Sequence, residues 1–305
     1  MCISARPYQG DEDYQRMRAL LVESFGITRR LHNWDLPRLD GWRFVHHGCS
    51  GTENDRQWQA DVRLWETGAG RLVGVVFSDA PGVVQLQIHP DYRGIEDEVV
   101  AWAEENLAVL TEDGRRRVNF WVYDYDMHRQ AVLSRRGYRQ NCARFEYTRY
   151  RSMDAPIPEV AAADEYTVRA LHLDDDHGDW ERYCAAVNRV FPHAQATVAR
   201  CRVHRSATYN HDLVAESPDG AFASFCTVWL DGVNRAGIVD PVGTHPDHRQ
   251  RGLAKAVVCA GLRHLRVLGA TVVYLGTYDS AHTNRLYESL GFTNADTSHV
   301  WEKVF

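Results

Sequence analysis

Paired cysteines are missing from this 305-residue chain: Cys2, Cys49, Cys142, Cys184, Cys201, Cys226 and Cys259 are odd in number, scattered, and nowhere spaced Cys-x-x-Cys. That pattern argues against a disulfide framework and a structural zinc motif, and buried reduced thiols are expected. Long apolar runs are missing too, because charged side chains interrupt every hydrophobic stretch before the roughly 20 residues a spanning helix needs. The opening MCISARPYQGDEDYQ carries acid where a signal peptide requires an apolar core, so a cytoplasmic protein with no membrane partner is expected. Basic charge is in deficit: 35 Lys and Arg against 41 Asp and Glu leave a formal net charge of −6. No basic field draws phosphate backbones, and nucleic acid is not an expected partner. A Gly-x-Ser-x-Gly elbow and a Walker-type loop are absent as well, which removes the serine-hydrolase and nucleotide-hydrolase readings.

The composition that remains, 44% hydrophobic and 25% charged, is that of a folded globular protein. At roughly 150 residues per domain, two domains are expected. Residues 151–164 (RSMDAPIPEVAAAD), rich in proline and small side chains, read as the linker. The expected division is therefore residues 1–150, a linker over 151–164, and residues 165–305. Helical spacing after an acidic start appears in both parts, at 11–25 with Met17, Leu20, Leu21 and Phe25, and at 174–191 with Trp180, Tyr183, Cys184, Val187 and Phe191. Asp174, Asp175 and Asp176 read as a capping acidic turn more readily than as metal ligands. Hairpins are expected over 62–65 and 72–77, around the Gly68–Gly70 turn, and over 212–215 and 221–230, around Pro218–Gly220. Gly68, Gly70 and Gly74 do not have dinucleotide-fingerprint spacing, and a strand follows where a helix should open.

An internal repeat joins the halves. His89-Pro90-Asp91 recurs as His245-Pro246-Asp247, offset by 156 residues, and Gly137-Tyr138 recurs as Gly291-Phe292, offset by 154. Each His-Pro-Asp precedes a helical pattern (96–107; 253–268), a strand (118–123; 271–278) and a helix ending in Gly-aromatic. Two similar α/β domains follow. In the second copy, residues 240–256 (DPVGTHPDHRQRGLAKA) run from strand through a short turn into a helix. Unpaired amides, the positive dipole end and a glycine make such a helix start an anion cradle.

These residues resemble the acetyl-CoA-dependent GCN5-related N-acetyltransferase (GNAT) superfamily, whose pyrophosphate loop reads Gln/Arg-x-x-Gly-x-Gly/Ala. Here it stands as Arg249-Gln250-Arg251-Gly252-Leu253-Ala254, followed by Leu286-Tyr287-x-x-x-Gly291-Phe292 at the family's distance. The resemblance covers residues 166–305 well and 3–150 more faintly. It implies an α/β fold of two GNAT-like domains, each with a mixed, mostly antiparallel central sheet flanked by helices.

The same resemblance implies site residues. Backbone groups of Val242 and Thr244 would pair with the pantetheine arm, and the amides of Arg251, Gly252, Leu253, Ala254 and Lys255 would hold the pyrophosphate, with Gln250 in the same loop; Arg249, Arg251 and Lys255 would add charge there or else be solvated surface residues. Asn284 would bond the pantetheine, although the family's commoner asparagine falls at Ser280, which could instead cap the helix. Tyr287 matches the tyrosine that protonates the departing thiolate; the other reading makes it a packing residue. Asp240 is the candidate base or amine binder, or else a strand-edge carboxylate. His245 is the second candidate base, but its recurrence as His89 favours a structural role.

The first half departs from the pattern. Its loop is two residues shorter, Glu96 stands where the second copy has Ala254, and Leu133 aligns with Tyr287. A degenerate first domain is expected. Residues 31–47 (LHNWDLPRLDGWRFVHH), with Trp34, Trp42, His46 and His47, could line an acceptor pocket or form an interdomain packing surface with ordinary core aromatics; the spacing of His46 and His47 suits no metal. The function so implied is acetyl transfer from acetyl-CoA to a primary amine of a small molecule by direct attack in a ternary complex, by a monomer or homodimer with no metal. A non-catalytic acyl-CoA sensor and a protein or peptide N-acetyltransferase are the alternatives.

Overall fold

The computed structural model describes residues 2–43, 59–160, 165–172, 177–207 and 210–305. His46, His47, Cys49 and Asp174 to Asp176 lie outside them. The elements of the first half are β1 (Ile3–Pro7), α1 (Asp11–Thr28), α2 (Leu36–Gly41), β2 (Arg63–Thr67), β3 (Leu72–Ala80), β4 (Val83–Ile88), α3 (Glu96–Asn106), β5 (Val109–Leu110), β6 (Arg116–Tyr123), α4 (Met127–Arg135) and β7 (Arg139–Ser152). The second half adds β8 (Thr167–Ala170), α5 (Asp179–Val190), α6 (Val198–Ala207), β9 (Asn210–Glu216), β10 (Phe222–Asp231), β11 (Ala236–Thr244), α7 (Leu253–Val267), β12 (Val272–Thr277), α8 (Ala281–Ser289) and β13 (Asn294–Val304). Among these, no helix is long and apolar enough to cross a membrane.

Two compact units result, Met1–Tyr147 with Asp296–Phe305, and Thr148–Ala295. This differs from the sequence boundary at both ends. The last strand pairs antiparallel with β6, from Ser298↔Tyr123 to Val304↔Arg117, and so belongs to the first unit. Within the proline-rich segment, Met153 joins the second unit's core and the Arg151 guanidinium donates to the Ala155 and Pro156 carbonyls at 2.9 and 3.1 Å. Local composition marks flexible-looking chain; strand pairing and burial decide ownership.

In the first unit the strand order is β1-β2-β3-β4-β6-β13-β7, with β5 on β6. β4 and β6 are parallel, and the other registered pairs are antiparallel. α1 packs Tyr14, Met17, Leu20 and Leu21 on Leu64, Val75 and Phe77, while α3 packs Val99, Val100 and Ala103 on the other cluster with Val76 and Leu86. Trp34 and Trp42 belong to the α1 cluster, 4% and 2% exposed, each against Phe77. Of the two readings offered for those tryptophans, core packing is the one observed.

The second unit repeats the plan with the order β7-β12-β11-β10-β9-β8, where β11 and β12 are parallel. α5 lays Trp180, Tyr183 and Val187 on one face against Val214 and Phe225. α7 lays Val257, Val258, Leu262 and Leu265 on the opposite face against Leu213, Cys226, Val228 and Val239. Each unit is thus a mixed, mostly antiparallel sheet between helices, as the resemblance implied. Cys184, Cys226 and Cys259 are buried thiols, whereas Cys2 and Cys142 are exposed and Cys201 is half-buried, so the expectation of buried thiols holds for only part of the set.

The seating of α7 depends on Gly261, where an added Cβ would come 2.6 Å from Val228 Cγ1. Gly261→Ala is expected to lose about 1–2 kcal/mol despite the better helix propensity of alanine, because the fully buried Val228 has nowhere to go. Chemical denaturation of wild type and variant checks this.

The start of α5 is tied by a charge network: Arg169 reaches Asp179 at 2.6 Å and Glu216 at 2.7 Å, and Arg182 reaches Glu216 at 2.7 Å. Burial by itself would raise the Asp179 carboxyl. Hydrogen bonds from Arg169 and from the His172 amide outweigh it and hold the group well below the carboxylate range. Glu216 is lowered in the same way, against burial, by Arg169 and Arg182. Both folded values lie below the unfolded ones, so the stability they contribute is present above pH ~4 and is lost as pH falls through the depressed values. Thermal unfolding should show little change from pH 7 to 5 on their account and a steep loss below pH ~4, blunted in Arg169→Gln.

Candidate acetyl-transfer site

The strand β11 leads into the site. One edge is laddered to β10 from Asp231↔Ala236 to Ser224↔Thr244, with an irregularity between Cys226 and Val228. On the other edge, the parallel pairing with β12 covers Ala236↔Val272, Gly237↔Val273 and Ile238↔Tyr274 and goes no further. The strands therefore part after Ile238, and the stretch carrying Asp240, Val242 and Thr244 borders the opening. Side chains on the laddered side hold it in place. Ser224 Oγ donates to the Gly243 carbonyl at 2.8 Å, and the Trp229 indole donates to the Asp240 carbonyl at 2.5 Å. Gly243 is obligatory there, since a Cβ would lie 2.3 Å from the Phe225 ring. These supports escaped the sequence reading, because they act across strands and leave no local pattern.

After β11 the chain makes a single 3₁₀ turn, Pro246–His248, capped by His245 Nδ1, which accepts from the Asp247 amide at 3.2 Å. His89 makes the same bond to the Asp91 amide at 3.2 Å. The recurrence of the two histidines is thus explained by capping, and the structural reading of His245 is the one observed.

The loop that follows takes two left-handed residues, Gln250 (φ 63°) and Gly252 (φ 75°). Gly252 is the N-cap of α7, and no side chain caps that end. The first intrahelical bond is Ala256 N–H to the Gly252 carbonyl at 3.0 Å, which leaves the amides of Leu253, Ala254 and Lys255 without helical partners. An ideal Cβ at Gly252 would meet nothing within 4 Å, so the space beside the helix cap is open. Arg249 and Arg251 are exposed, with Arg251 in a 3.1 Å pair with Glu165. Such an exposed pair is weak and its guanidinium is readily re-partnered. The donor set and the open space fit a pyrophosphate.

Tyr287 sits on α8, 8% exposed, with its ring edge-on to Phe292 at 5.9 Å. Burial, joined by the charges of Cys226 and Asp240, pushes its hydroxyl well above the ordinary tyrosine value. Asp240 itself is exposed on β11. The strand and α8 thus bring the two side chains into electrostatic range. Asn284 is half-buried and already engaged: its amide donates to Asp279 at 2.9 Å and its carbonyl accepts from Arg149 at 3.0 Å. The departure at Ser280 also has a structural counterpart, for Ser280 occupies the N-cap of α8 but makes no side-chain cap bond, contrary to the capping expectation.

The first unit handles the same chain positions differently. Its 3₁₀ turn, Pro90–Ile95, runs straight into α3 through the right-handed Ile95, and Gly94 is not left-handed. Glu96 is fully buried and bonded to Arg93 and Arg129, so it fills the helix start as an internal ion pair rather than standing there as a free repelling charge. Leu133 is buried, and Tyr138 N–H bonds its carbonyl at 3.0 Å, just as Phe292 N–H bonds that of Tyr287 at 3.0 Å. That shared bond supports the alignment of Leu133 with Tyr287.

A strand edge parted from its parallel neighbour and running into an open, glycine-capped helix start suits an acyl-CoA cofactor, with backbone groups for its arm and free amides for its pyrophosphate. The family model described as acetyltransferase (GNAT) family matches residues 167–292. This half of the chain is a GNAT acetyltransferase domain, and the protein is an acetyltransferase. A mycothiol acetyltransferase of Arthrobacter sp. (strain FB24) is 28% identical over 247 residues, 76% of this chain and 73% of that one. Another, from Pseudarthrobacter chlorophenolicus, is 27% identical over 77% of this chain and 74% of its own. Among solved structures, a tandem GNAT protein from the clavulanic acid biosynthesis pathway superposes with a TM-score of 0.67 at 15% identity, covering 99% of this chain and 98% of that one. A GCN5-related N-acetyltransferase from Sphaerobacter thermophilus gives 0.61 at 19%, covering 99% and 95%. The tandem GNAT fold therefore extends over the whole chain.

Proposed function

We propose that the second unit transfers an acetyl group from acetyl-CoA to the primary amine of a small molecule, by direct attack in a ternary complex, and that the first unit holds no working cofactor site. The observation that carries this is the β11 edge, parted from β12 beyond Ile238 and running into the left-handed Gly252 at the start of α7. The relatives named mycothiol acetyltransferase support a small-molecule acceptor over a peptide.

Acetyl-CoA supplies the activated thioester. The amides of Arg251 to Lys255, with Arg249, Gln250 and Lys255 around them, hold its pyrophosphate, and the backbone of Val242 and Thr244 pairs with the pantetheine arm as an added strand would. Asn284 contributes through the bonds that orient α8 beside the arm. Asp240 binds the incoming ammonium and takes its proton, freeing the lone pair for attack on the thioester carbonyl. As the carbon–sulfur bond breaks, Tyr287 gives its proton to the departing thiolate. Its raised value keeps that proton in place at neutral pH.

Amine-dependent release of CoA, followed with a thiol reagent on free amines and on peptides in parallel, tests the reading. Turnover on amines alone is expected. Turnover confined to peptides would replace the acceptor class, and cofactor binding with no turnover on either would leave a sensor.

A further inference from the structure

The first unit has its own parallel pair, and it too parts early: β4 and β6 are paired at Val83↔Asn119 and Val84↔Phe120 only. The next ladder bond in that register would join the Leu86 amide to the Trp121 carbonyl. Instead the Asn33 carboxamide stands between them. Its Oδ1 accepts from Leu86 N–H at 2.7 Å, and its Nδ2 donates to the Trp121 carbonyl at 3.3 Å. A side-chain amide thus offers both strands what an inserted peptide unit would offer.

The 156-residue offset of the His-Pro-Asp repeat aligns Leu86 with Val242, the residue whose backbone is assigned above to the pantetheine. The segment carrying Asn33 is fastened at two further points. Arg129 Nη1 donates to the His32 carbonyl at 2.9 Å, and the Tyr125 hydroxyl donates to the Leu31 carbonyl. Arg129 also holds Glu96, the buried carboxylate at the start of α3. One guanidinium therefore ties together the amide-bearing segment and the anion at the helix start.

We infer that the first unit's cleft is closed by the chain itself, with residues 31–33 as a built-in pseudo-ligand: the Asn33 amide takes the place of a pantetheine amide, and Glu96 that of the pyrophosphate. The inference extends the proposed function, since the comparison with Val242 rests on the second unit's cleft being the cofactor site. It gives the first unit a stable closed cleft and restricts the protein to one acetyl-CoA per chain.

Amide hydrogen exchange resolved at Leu86 and Val242, in the full chain with and without acetyl-CoA, tests it. In the ligand-free protein Leu86 should already be protected, and acetyl-CoA should leave it unchanged. Asn33→Ala should speed exchange at Leu86 at least about tenfold while Trp301, whose amide faces Phe120 in the neighbouring β13–β6 ladder, keeps its protection, which shows that the unit still folds. Protection of Leu86 by acetyl-CoA, or exchange at Leu86 unmoved in a folded Asn33→Ala, overturns the inference. If Val242 instead gains no protection from acetyl-CoA, the cofactor reading of the second unit fails, and the Asn33→Ala comparison still decides whether the first cleft is closed.

Discussion

Tyr287→Phe should lower kcat for amine-dependent CoA release by about 10²-fold, the lower range for loss of a positioned general acid, while acetyl-CoA affinity stays within about twofold. The two readings of this residue, proton donor and packing residue, make opposite predictions for this substitution. Packing belongs to the ring, which lies edge-on to Phe292 and joins the core of α7 and β12. Phenylalanine keeps that ring. Only the hydroxyl is lost, and with it the proton for the leaving thiolate. A leaving thiol of lower pKa needs less help, so an acyl donor with such a thiol should restore much of the lost rate. If kcat is unchanged with acetyl-CoA, Tyr287 is a core residue alone and the acid must be sought elsewhere.

Gly252→Glu should abolish acetyl-CoA binding measurable by calorimetry, a loss of at least about 100-fold. Two costs add. A non-glycine residue at φ 75° costs ~1–2 kcal/mol, and a carboxylate a few ångströms from the pyrophosphate adds a repulsion of similar or larger size. Steric damage to the fold is not a third cost, because the space around an added Cβ is open. Gly252→Asn separates the terms: asparagine tolerates the left-handed region and carries no charge, so its loss should stay within about tenfold. One equivalent bound by wild type and none by Gly252→Glu is the expected outcome. Two equivalents in wild type would mean that the first unit also binds, against both its buried Glu96 and its Asn33 bridge.

Much of the site was legible because it is contiguous. Residues 240–256 hold the strand, the turn, the glycine and the helix in one stretch, and the rules that shape them act over four residues or fewer: the proline-initiated turn, the left-handed cap and the unpaired first amides. The helices at 11–25 and 253–268 were likewise visible in their spacing, and the structure extends or trims each by a few residues. The defect in the first unit was legible only in outline. Its missing residues and Glu96 can be counted, but that the carboxylate is buried between Arg93 and Arg129 follows from helices meeting in space. Asn284 was the weakest assignment, and the reason is similar, since Arg149 and Asp279 claim its amide from another strand and another turn.

What the sequence by itself determined is the class of chemistry and the repeat, both written in short-range motifs whose backbone needs are local. Tertiary structure alone decided which unit owns the last strand, that Trp34 and Trp42 are core, and that Asn33 bridges β4 and β6. Each of these depends on hydrogen bonds or burial between residues tens to hundreds of positions apart, where many pairings satisfy the same periodicity. Only the packed chain, in which strand pairing and burial must be met together, selects among them.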